Sequence, residues 1–126
     1  KGASEGIRIG MKAILNDTVL VGFVEDVFEH SARIRLLSSF GQERQLLIEG
    51  NTTPFLVRGD GGGTFVFDVP RDFSVEKGNA LLFMGERPFL VGFVESIQAH
   101  TSESVIKIKA IIPFNPNELS LLILIP

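Results

Sequence analysis

The side chains that could do chemistry in this 126-residue chain are few and scattered. Cysteine is absent, so the sequence offers no thiolate nucleophile, disulfide or cysteine-based zinc site. The two histidines, His30 and His100, fall short of the three or four converging ligands that a metal site needs, and each is interpreted as completing the hydrogen bonds of a turn. Glu25 and Glu95 each occur once per predicted barrel, with no visible partner acid for paired acid–base catalysis. No catalytic, cofactor-binding or metal-binding residue is therefore predicted.

The glycine-rich segment Gly59–Gly63, with the sequence GDGGG, has two functional precedents, and neither fits. A phosphate-binding loop leads into a helix and carries a Lys and a Ser or Thr, whereas the strand pattern TFVFDV follows here. The segment also resembles GDSGG of double-barrel serine proteases, but Gly61 occupies the position of the nucleophilic serine. We interpret Gly59–Gly63 as a connector between two barrels, in which glycine supplies positive φ, and Gly61 as a structural residue.

The strongest pattern in the chain is a repeat. The hexapeptide LVGFVE occurs at residues 20–25 and again at residues 90–95. Gly10–Leu15 precedes the first copy much as Gly78–Phe83 precedes the second, and a basic alternating strand follows each copy. A catalytic motif is needed once per site, whereas a duplicated structural unit repeats its packing residues. The repeat therefore predicts two similar structural units.

Alternating apolar and polar residues predict that these units are built from strands. SARIRLL, TFVFDV and VIKIKAII alternate with period two, and no window of a dozen residues has sustained helical spacing. Turn residues recur at intervals of about eight to twelve residues, which is typical of barrels and sandwiches. Gly22 and Gly92, inside the two hexapeptides, favour barrels, because a strand that bends to close a sheet needs a position without Cβ.

The predicted fold is all-β, with two small, similar antiparallel β-barrels packed together. Residues 1–61 form the first barrel and residues 62–126 the second, with exchange of strands across this boundary allowed for. A unit of about 60 residues buries little surface and is only marginally stable alone, so the two barrels are expected to share a core. All eleven aromatic residues are Phe, which fill an interior without a polar group to satisfy.

Composition and charge further limit the classes of function that the chain could have. The net charge of −3 and the scattered Lys and Arg residues argue against a nucleic-acid surface. No stretch approaches the ~18 consecutive apolar residues of a membrane helix, and no signal peptide is present. The chain opens at KGASEG without an initiator Met, so we expect it to be part of a longer protein whose anchoring or targeting segment is missing.

Four motifs, in their order and spacing, resemble the extracytoplasmic core of MreC, the bacterial rod shape-determining protein family. The resemblance extends from Gly6 to the end of the chain, although Asn79 stands where the family usually has Asp, and the hairpin FMGERPF is shorter than the family's. The matching segments are Leu20–Val24 (Leu-Val-Gly-x-Val), Asp72–Asn79 (acidic turn and Val-x-x-Gly step), Val91–Val94 (second Val-Gly-x-Val), and Pro113 with Leu119–Leu124 (terminal strand).

The resemblance implies a non-catalytic scaffold. MreC-like proteins are anchored in the inner membrane by an N-terminal helix, dimerise through a coiled coil and place two β-barrels outside the cytoplasm. There they bind the class B penicillin-binding transpeptidase of the elongation machinery, alongside MreD and the cytoskeletal MreB system. The resemblance thus implies a periplasmic or extracytoplasmic location, membrane anchoring through a missing N-terminal segment, and a homodimer or higher self-association in the full-length protein.

Two barrels without a catalytic site would function by binding a partner through exposed apolar or edge-strand surface. The partner-binding candidates are Phe40 in the polar loop SSFGQER, Phe55 after Pro54, and Phe89 after Pro88. Because Phe55 and Phe89 open β-like runs, core burial is the stronger interpretation for both. Phe40 is the better contact residue.

Two other functions remain open at this stage. A translation-factor-like or SH3-like barrel could bind RNA or a ligand in the cytoplasm, but RNA binding would require a basic face. A degenerate protease-like enzyme would require a nucleophile, which the GDGGG segment lacks.

Overall fold

The computed structural model describes residues 1–99, 104–119 and 122–126, and most of them are in strands. Within these ranges the only helical segments are two short 3-10 helices, Ala3–Glu5 and Pro116–Glu118. The all-β prediction is confirmed. In chain order the strands are β1 (Lys12–Leu15), β2 (Val19–Val27), β3 (Ala32–Leu36), β4 (Glu43–Ile48), β5 (Phe55–Gly61), β6 (Thr64–Pro70), β7 (Ala80–Met84), β8 (Pro88–Ala99), β9 (Val105–Ile111) and β10 (Leu122–Ile125).

Six strands form a closed antiparallel barrel. Around the barrel the order is β8, β7, β4, β5, β6 and β9, and pairing of β9 with β8 closes the ring. The longest continuous ladder joins β6 to β9, from Thr64 opposite Ile111 to Pro70 opposite Val105. Phe65 and the other odd-numbered residues of β6 to position 69 point inward and are buried, as the period-two pattern predicted.

The other four strands form a smaller sheet in the order β10, β1, β2, β3. This sheet joins the barrel where β2 and β8 run parallel, with Val19 opposite Leu90. A shared core connects the two parts, because Ile14 and Leu20 of the sheet pack with Phe65 and Phe89 of the barrel. A second, smaller cluster around Met11 lies on the other face of the sheet.

The chain is divided differently from the predicted boundary between residues 61 and 62. That boundary falls inside the β5–β6 hairpin, since Gly61 pairs with Thr64. β4 and β5, expected in the first barrel, complete the closed barrel with strands from the second half, while the C-terminal β10 returns to β1. Alternation identifies a strand but not its neighbour, because strand pairing is set by non-local packing.

The duplication appears in the hydrogen-bonded register. Ala13 of β1 lies opposite Gly22 of β2, and Leu81 of β7 lies opposite Gly92 of β8, with a register shift directly after each pair. The next pairings, β2 with β3 and β8 with β9, are both bulged at the Glu that ends the hexapeptide. The meander β1–β2–β3 is therefore repeated as β7–β8–β9.

The two hexapeptide glycines lie at equivalent close approaches of the backbone. A Cβ at Gly22 would lie 2.1 Å from the carbonyl oxygen of Arg35, and one at Gly92 would lie 2.5 Å from that of Ile111. Real Cβ atoms are not found at such distances from a backbone oxygen. Neither glycine has positive φ, so space and not backbone conformation accounts for glycine at both positions.

Candidate interaction surface

Phe40 lies in the loop between β3 and β4 and is the most exposed of the described large apolar side chains, at 76%. The backbone beneath it is held by the barrel. The Gly41 N–H donates to the carbonyl of Gly59 over 3.1 Å, and the Gly61 N–H donates to the carbonyl of Ser38 over 2.9 Å. An exposed aromatic ring on a backbone that is already held in place is well suited to anchor a partner, because little further ordering of that backbone is needed on binding.

The glycine-rich segment forms the support for this loop. Residues 61, 62 and 63 have φ values of 79°, 60° and 77° and make the turn of the β5–β6 hairpin, where the Thr64 hydroxyl donates to the Gly61 carbonyl over 2.7 Å. A Cβ at Gly59 would lie 2.2 Å from the Ser39 carbonyl oxygen, so the Phe40 loop packs directly on β5. The predicted connector between barrels is thus corrected to a hairpin within one barrel.

The other two partner-binding candidates are not equally accessible. Phe89 is fully buried in the shared core, with the Arg87 guanidinium 4.9 Å from the centre of its ring. Phe55 is half-buried and packs edge-on against Phe73 at 4.8 Å between ring centres. Of the three, Phe40 alone presents most of its ring to solvent.

Sequence reasoning missed several other exposed apolar side chains. Period-two alternation could have placed Leu56 outward, since it follows Phe55 and precedes the buried Val57 in β5. No comparable signal marks Ile9, which lies in a turn. Among the described residues, the exposed large apolar side chains besides Phe40 are Ile9, Phe28, Leu56, Met84, Phe93, Ile97, Val105 and Ile123. A hollow of about 310 Å³ beside Met84 is lined by Gln45, Leu47, Thr52, Pro54, Leu82 and Phe83.

His30 lies in the exposed turn between β2 and β3. Its Nδ1 is 3.3 Å from the Ser4 hydroxyl, and its Nε2 is 3.7 Å from a carboxylate oxygen of Glu29. The His30 ring thus contacts the 3-10 helix at the start of the chain, whereas His100 lies outside the described residues. In the described ranges no group of three or more His, Asp or Glu side chains could hold a metal ion.

The two hexapeptide glutamates form ion pairs with the basic strands that follow them. Glu25 accepts two hydrogen bonds from Arg35, at 2.7 and 3.0 Å, and Glu95 lies 3.7 Å from the Lys109 ammonium. All four side chains are partly exposed. Each pair joins neighbouring strands on the solvent face, where such pairs contribute little to stability.

A third carboxylate organises the start of the chain. The pKa of Glu5 is lowered, first by the Ser4 hydroxyl, which donates to it over 2.6 Å, and then by the Gly2 N–H, which donates over 2.7 Å. Gly2 itself packs against the β2–β3 turn, since a Cβ there would lie 2.4 Å from the Ser31 nitrogen. The first residues are therefore attached to the beginning of β3.

The β7–β8 hairpin lies against the four-stranded sheet. The Arg87 guanidinium at its tip lies 3.1 Å from a carboxylate oxygen of Asp17 in the β1–β2 turn. A carboxylate oxygen of Glu86 lies 3.9 Å from the Lys12 ammonium. The hairpin thus contacts the sheet within the same molecule.

None of the helices in the described parts of the chain has the length and apolar character to cross a bilayer.

One family model matches the whole chain, and two solved structures share its fold. The model described as "Rod shape-determining protein MreC, barrel core" matches residues 1–126. A solved structure titled "MreC" superposes with a TM-score of 0.89 at 19% identity, covering 100% of this chain and 75% of that one. The crystal structure of MreC from Pseudomonas aeruginosa gives a TM-score of 0.85 at 19% identity, covering 100% and 85%. No curated protein sequence matches the chain significantly.

Proposed function

Because the chain belongs to the MreC family of rod shape-determining proteins, whose model matches all 126 residues, we propose that it binds and positions a cell-wall transpeptidase. The family consists of extracytoplasmic, non-catalytic shape-determining scaffolds. In the proposed role the barrel core supplies a binding surface, and the bond-forming chemistry of peptidoglycan synthesis belongs to the partner.

The observation that carries this proposal, beside the family match, is the presentation of Phe40. An aromatic ring that is 76% exposed on a loop hydrogen-bonded to a barrel strand has the character of an interface anchor. Such residues fill a pocket on the partner and account for a large part of the binding energy. Phe55 could contribute at the edge of such an interface only through the exposed part of its ring, and Phe89 only through its packing in the core.

Substitution of Phe40 tests the proposal directly. Phe40→Asp should leave the fold intact, because the side chain is outside the core, and should weaken binding to the transpeptidase's extracytoplasmic domain by at least about tenfold. Ile9→Asp is the matched control, since Ile9 is 70% exposed but lies in the turn before β1 of the four-stranded sheet, outside the closed barrel. Affinity would be measured by biolayer interferometry, with circular dichroism to confirm folding.

An unchanged affinity for Phe40→Asp, or an equal loss in Ile9→Asp, would remove Phe40 from the proposed interface. A wild-type chain that fails to bind any class B transpeptidase from its own cell would contradict the proposed function itself.

The remaining partners are part of the same proposal. In the full-length protein we expect an N-terminal membrane anchor, self-association as a homodimer or larger assembly, and association with MreD and the MreB system. Cross-linking of the full-length protein in cells, followed by identification of the linked partners, tests these expectations together.

A further inference from the structure

Two neighbouring strands of the closed barrel, β5 and β6, pair with each other only near their turn. The pair farthest from the turn is Arg58 opposite Val66, although β5 begins earlier, at Phe55, and β6 continues to Pro70. In these outer stretches β5 pairs with β4, and β6 pairs with β9. A hollow of about 190 Å³ lies on the outer surface of the barrel where the two strands separate, and we call it the β5–β6 hollow.

Charged side chains of both signs surround the β5–β6 hollow. Each of the four strands contributes one, and all of them are exposed on the solvent face of the barrel. Two carry a positive charge and two a negative charge, so the site is neutral as a whole. The charged residues are Glu43 of β4, Arg58 of β5, Asp68 of β6 and Lys107 of β9.

These four charges do not neutralise one another within the fold. In the register of the strands, Glu43 lies directly opposite Arg58, and Asp68 lies directly opposite Lys107. Neighbours of opposite charge in such positions are close enough to interact. None of the four side chains, however, forms a hydrogen bond or an ion pair with another described residue. All four charges therefore remain available to a ligand in the hollow.

The smaller sheet shows the usual outcome for charges in the same arrangement. Asp26 of β2 lies directly opposite Arg33 of β3, and their charged groups are 3.3 Å apart. Both of these side chains are also partly exposed. Exposure and register thus allow an ion pair in this protein, and the lack of one around the β5–β6 hollow is a property of that site.

The size and the walls of the β5–β6 hollow limit its ligand. A hollow of about 190 Å³ is smaller than the ~300–1,000 Å³ of pockets that enclose drug-sized molecules, so it fits about one or two residues of a peptide. Arg58 and Asp68 lie on the two strands that separate, with the exposed Leu56 and the half-buried Val66 beside them. A ligand with one positive and one negative group, joined by an aliphatic chain, complements these walls.

We propose that the β5–β6 hollow binds a short peptide that carries a side-chain ammonium and a free C-terminal carboxylate. This is the chemistry of an uncross-linked stem peptide of the cell wall. The choice of that peptide rests on the proposed function, because a cell-wall transpeptidase joins such peptides and brings them close to a scaffold bound to it.

Each charged group has a distinct part in this proposal. The Arg58 guanidinium donates two parallel hydrogen bonds to the ligand carboxylate, for which its planar fork is suited. The Asp68 carboxylate accepts hydrogen bonds from the ligand ammonium. Glu43 and Lys107, each opposite one of these residues, keep the site neutral, so a simple anion or cation is not favoured. Leu56 contacts the aliphatic part of the ligand.

Titration with the peptide Nα-acetyl-Lys-D-Ala-D-Ala tests the proposal, because this peptide has one ammonium and one carboxylate. Shifts of amide NMR signals should saturate and should be confined to β4, β5, β6 and β9. Arg58→Gln and Asp68→Asn should each weaken binding by about three- to tenfold, the range expected for contacts between partly exposed charges. Both substitutions should leave the fold unchanged, because both side chains are exposed.

Blocked peptides separate the two charged contacts. Amidation of the C-terminus removes the group that Arg58 binds, so the amidated peptide should bind Arg58→Gln and the unsubstituted chain equally well and remain sensitive to Asp68→Asn. Acetylation of the lysine side chain should have the reverse effect. Arg33→Gln and Asp26→Asn are the matched controls, since they make the same changes of charge in the smaller sheet, and they should leave the affinity unchanged.

Three results would overturn the proposal. The first is the absence of a saturating shift at peptide concentrations up to about 10 mM. The second is an equal loss of affinity in the control variants, because only the overall charge of the chain would then matter. The third is that Arg58→Gln and Asp68→Asn weaken binding of the transpeptidase domain but not of the peptide, which would assign the hollow to that protein interface. Failure of the unsubstituted chain to bind a transpeptidase would contradict the proposed function and leave the peptide result as it is.

Discussion

At the scale of single residues, the Phe side chains of this protein differ widely in solvent exposure. Phe89 is fully buried, whereas Phe40 is 76% exposed, although each lies close to a predicted turn. The difference is that Phe89 belongs to a strand whose inward positions face the shared core, while Phe40 lies in a loop whose backbone is bound to a neighbouring strand. Exposure of an aromatic residue thus depends on its element and not on its type.

Glycine at the two hexapeptide positions is required by the space available. Gly22→Ala should destabilise the protein by about 2–3 kcal/mol, because a Cβ 2.1 Å from the Arg35 carbonyl oxygen forces two paired strands apart. Gly92→Ala should have a similar cost, with a slightly longer contact of 2.5 Å. Urea unfolding followed by circular dichroism measures both.

Gly85→Ala is the matched control for these substitutions. Gly85 also lacks positive φ, and a Cβ there would meet only side-chain atoms, the nearest at 3.3 Å. It should cost less than about 1 kcal/mol. If Gly22→Ala were no more destabilising than Gly85→Ala, the close backbone approach would not be the reason for glycine in the repeat.

At the scale of elements, hairpins connect parts of the molecule that the sequence separates. The β5–β6 hairpin supports the Phe40 loop, and the β7–β8 hairpin reaches across to the four-stranded sheet. In each case a short turn brings polar or backbone groups to a neighbouring element. These contacts add to the shared core and to the pairing of β2 with β8, which join the sheet to the barrel.

Arg87 has two contacts at the β7–β8 hairpin, and they can be separated by mutation. Arg87→Ala should cost about 1–2 kcal/mol, because it removes both the partly exposed ion pair with Asp17 and the guanidinium above the Phe89 ring. Asp17→Asn should cost less than about 1 kcal/mol, since it removes only the charge and Asn tolerates the positive φ of this position.

Arg87→Lys completes this comparison, because Lys keeps the charge but loses the planar contact with the ring. The loss in free energy of unfolding for Arg87→Lys, measured with denaturant, should lie between the losses for the other two variants. Equal losses in Arg87→Ala and Asp17→Asn would mean that the contact with Phe89 contributes nothing measurable.

At the scale of the whole molecule, the closed barrel is a continuous stretch of chain. All six of its strands lie between Glu43 and Ile111, whereas the smaller sheet combines the first three strands with the last. In the sequence, the strands of the barrel thus lie between the third and the fourth strand of the smaller sheet. The shared core explains why they remain together, since apolar residues of both parts pack in one cluster.

This arrangement predicts which fragment folds. A fragment of residues 43–112 keeps the complete ring of paired strands and should unfold cooperatively, at a lower temperature than the full chain because it loses core contacts with Ile14 and Leu20. A fragment of residues 62–126 lacks β4 and β5 and should not fold cooperatively. Far-UV circular dichroism and the dispersion of amide NMR signals distinguish the outcomes, and cooperative folding of the second fragment alone would contradict this division.

The sequence by itself determined the all-β class, the duplication and the family resemblance. Alternation and glycine placement are local properties, so residues such as Ile34, Phe65 and Gly92 indicate strands and close packing without knowledge of their neighbours. The tertiary structure alone decided that β4 and β5 belong to the closed barrel, that Phe89 is buried while Phe40 is exposed, and that β3 pairs only with β2 among the described strands. These outcomes depend on which strands pair across long separations in the chain, and pairing is selected by the burial of whole faces together and not by any single segment.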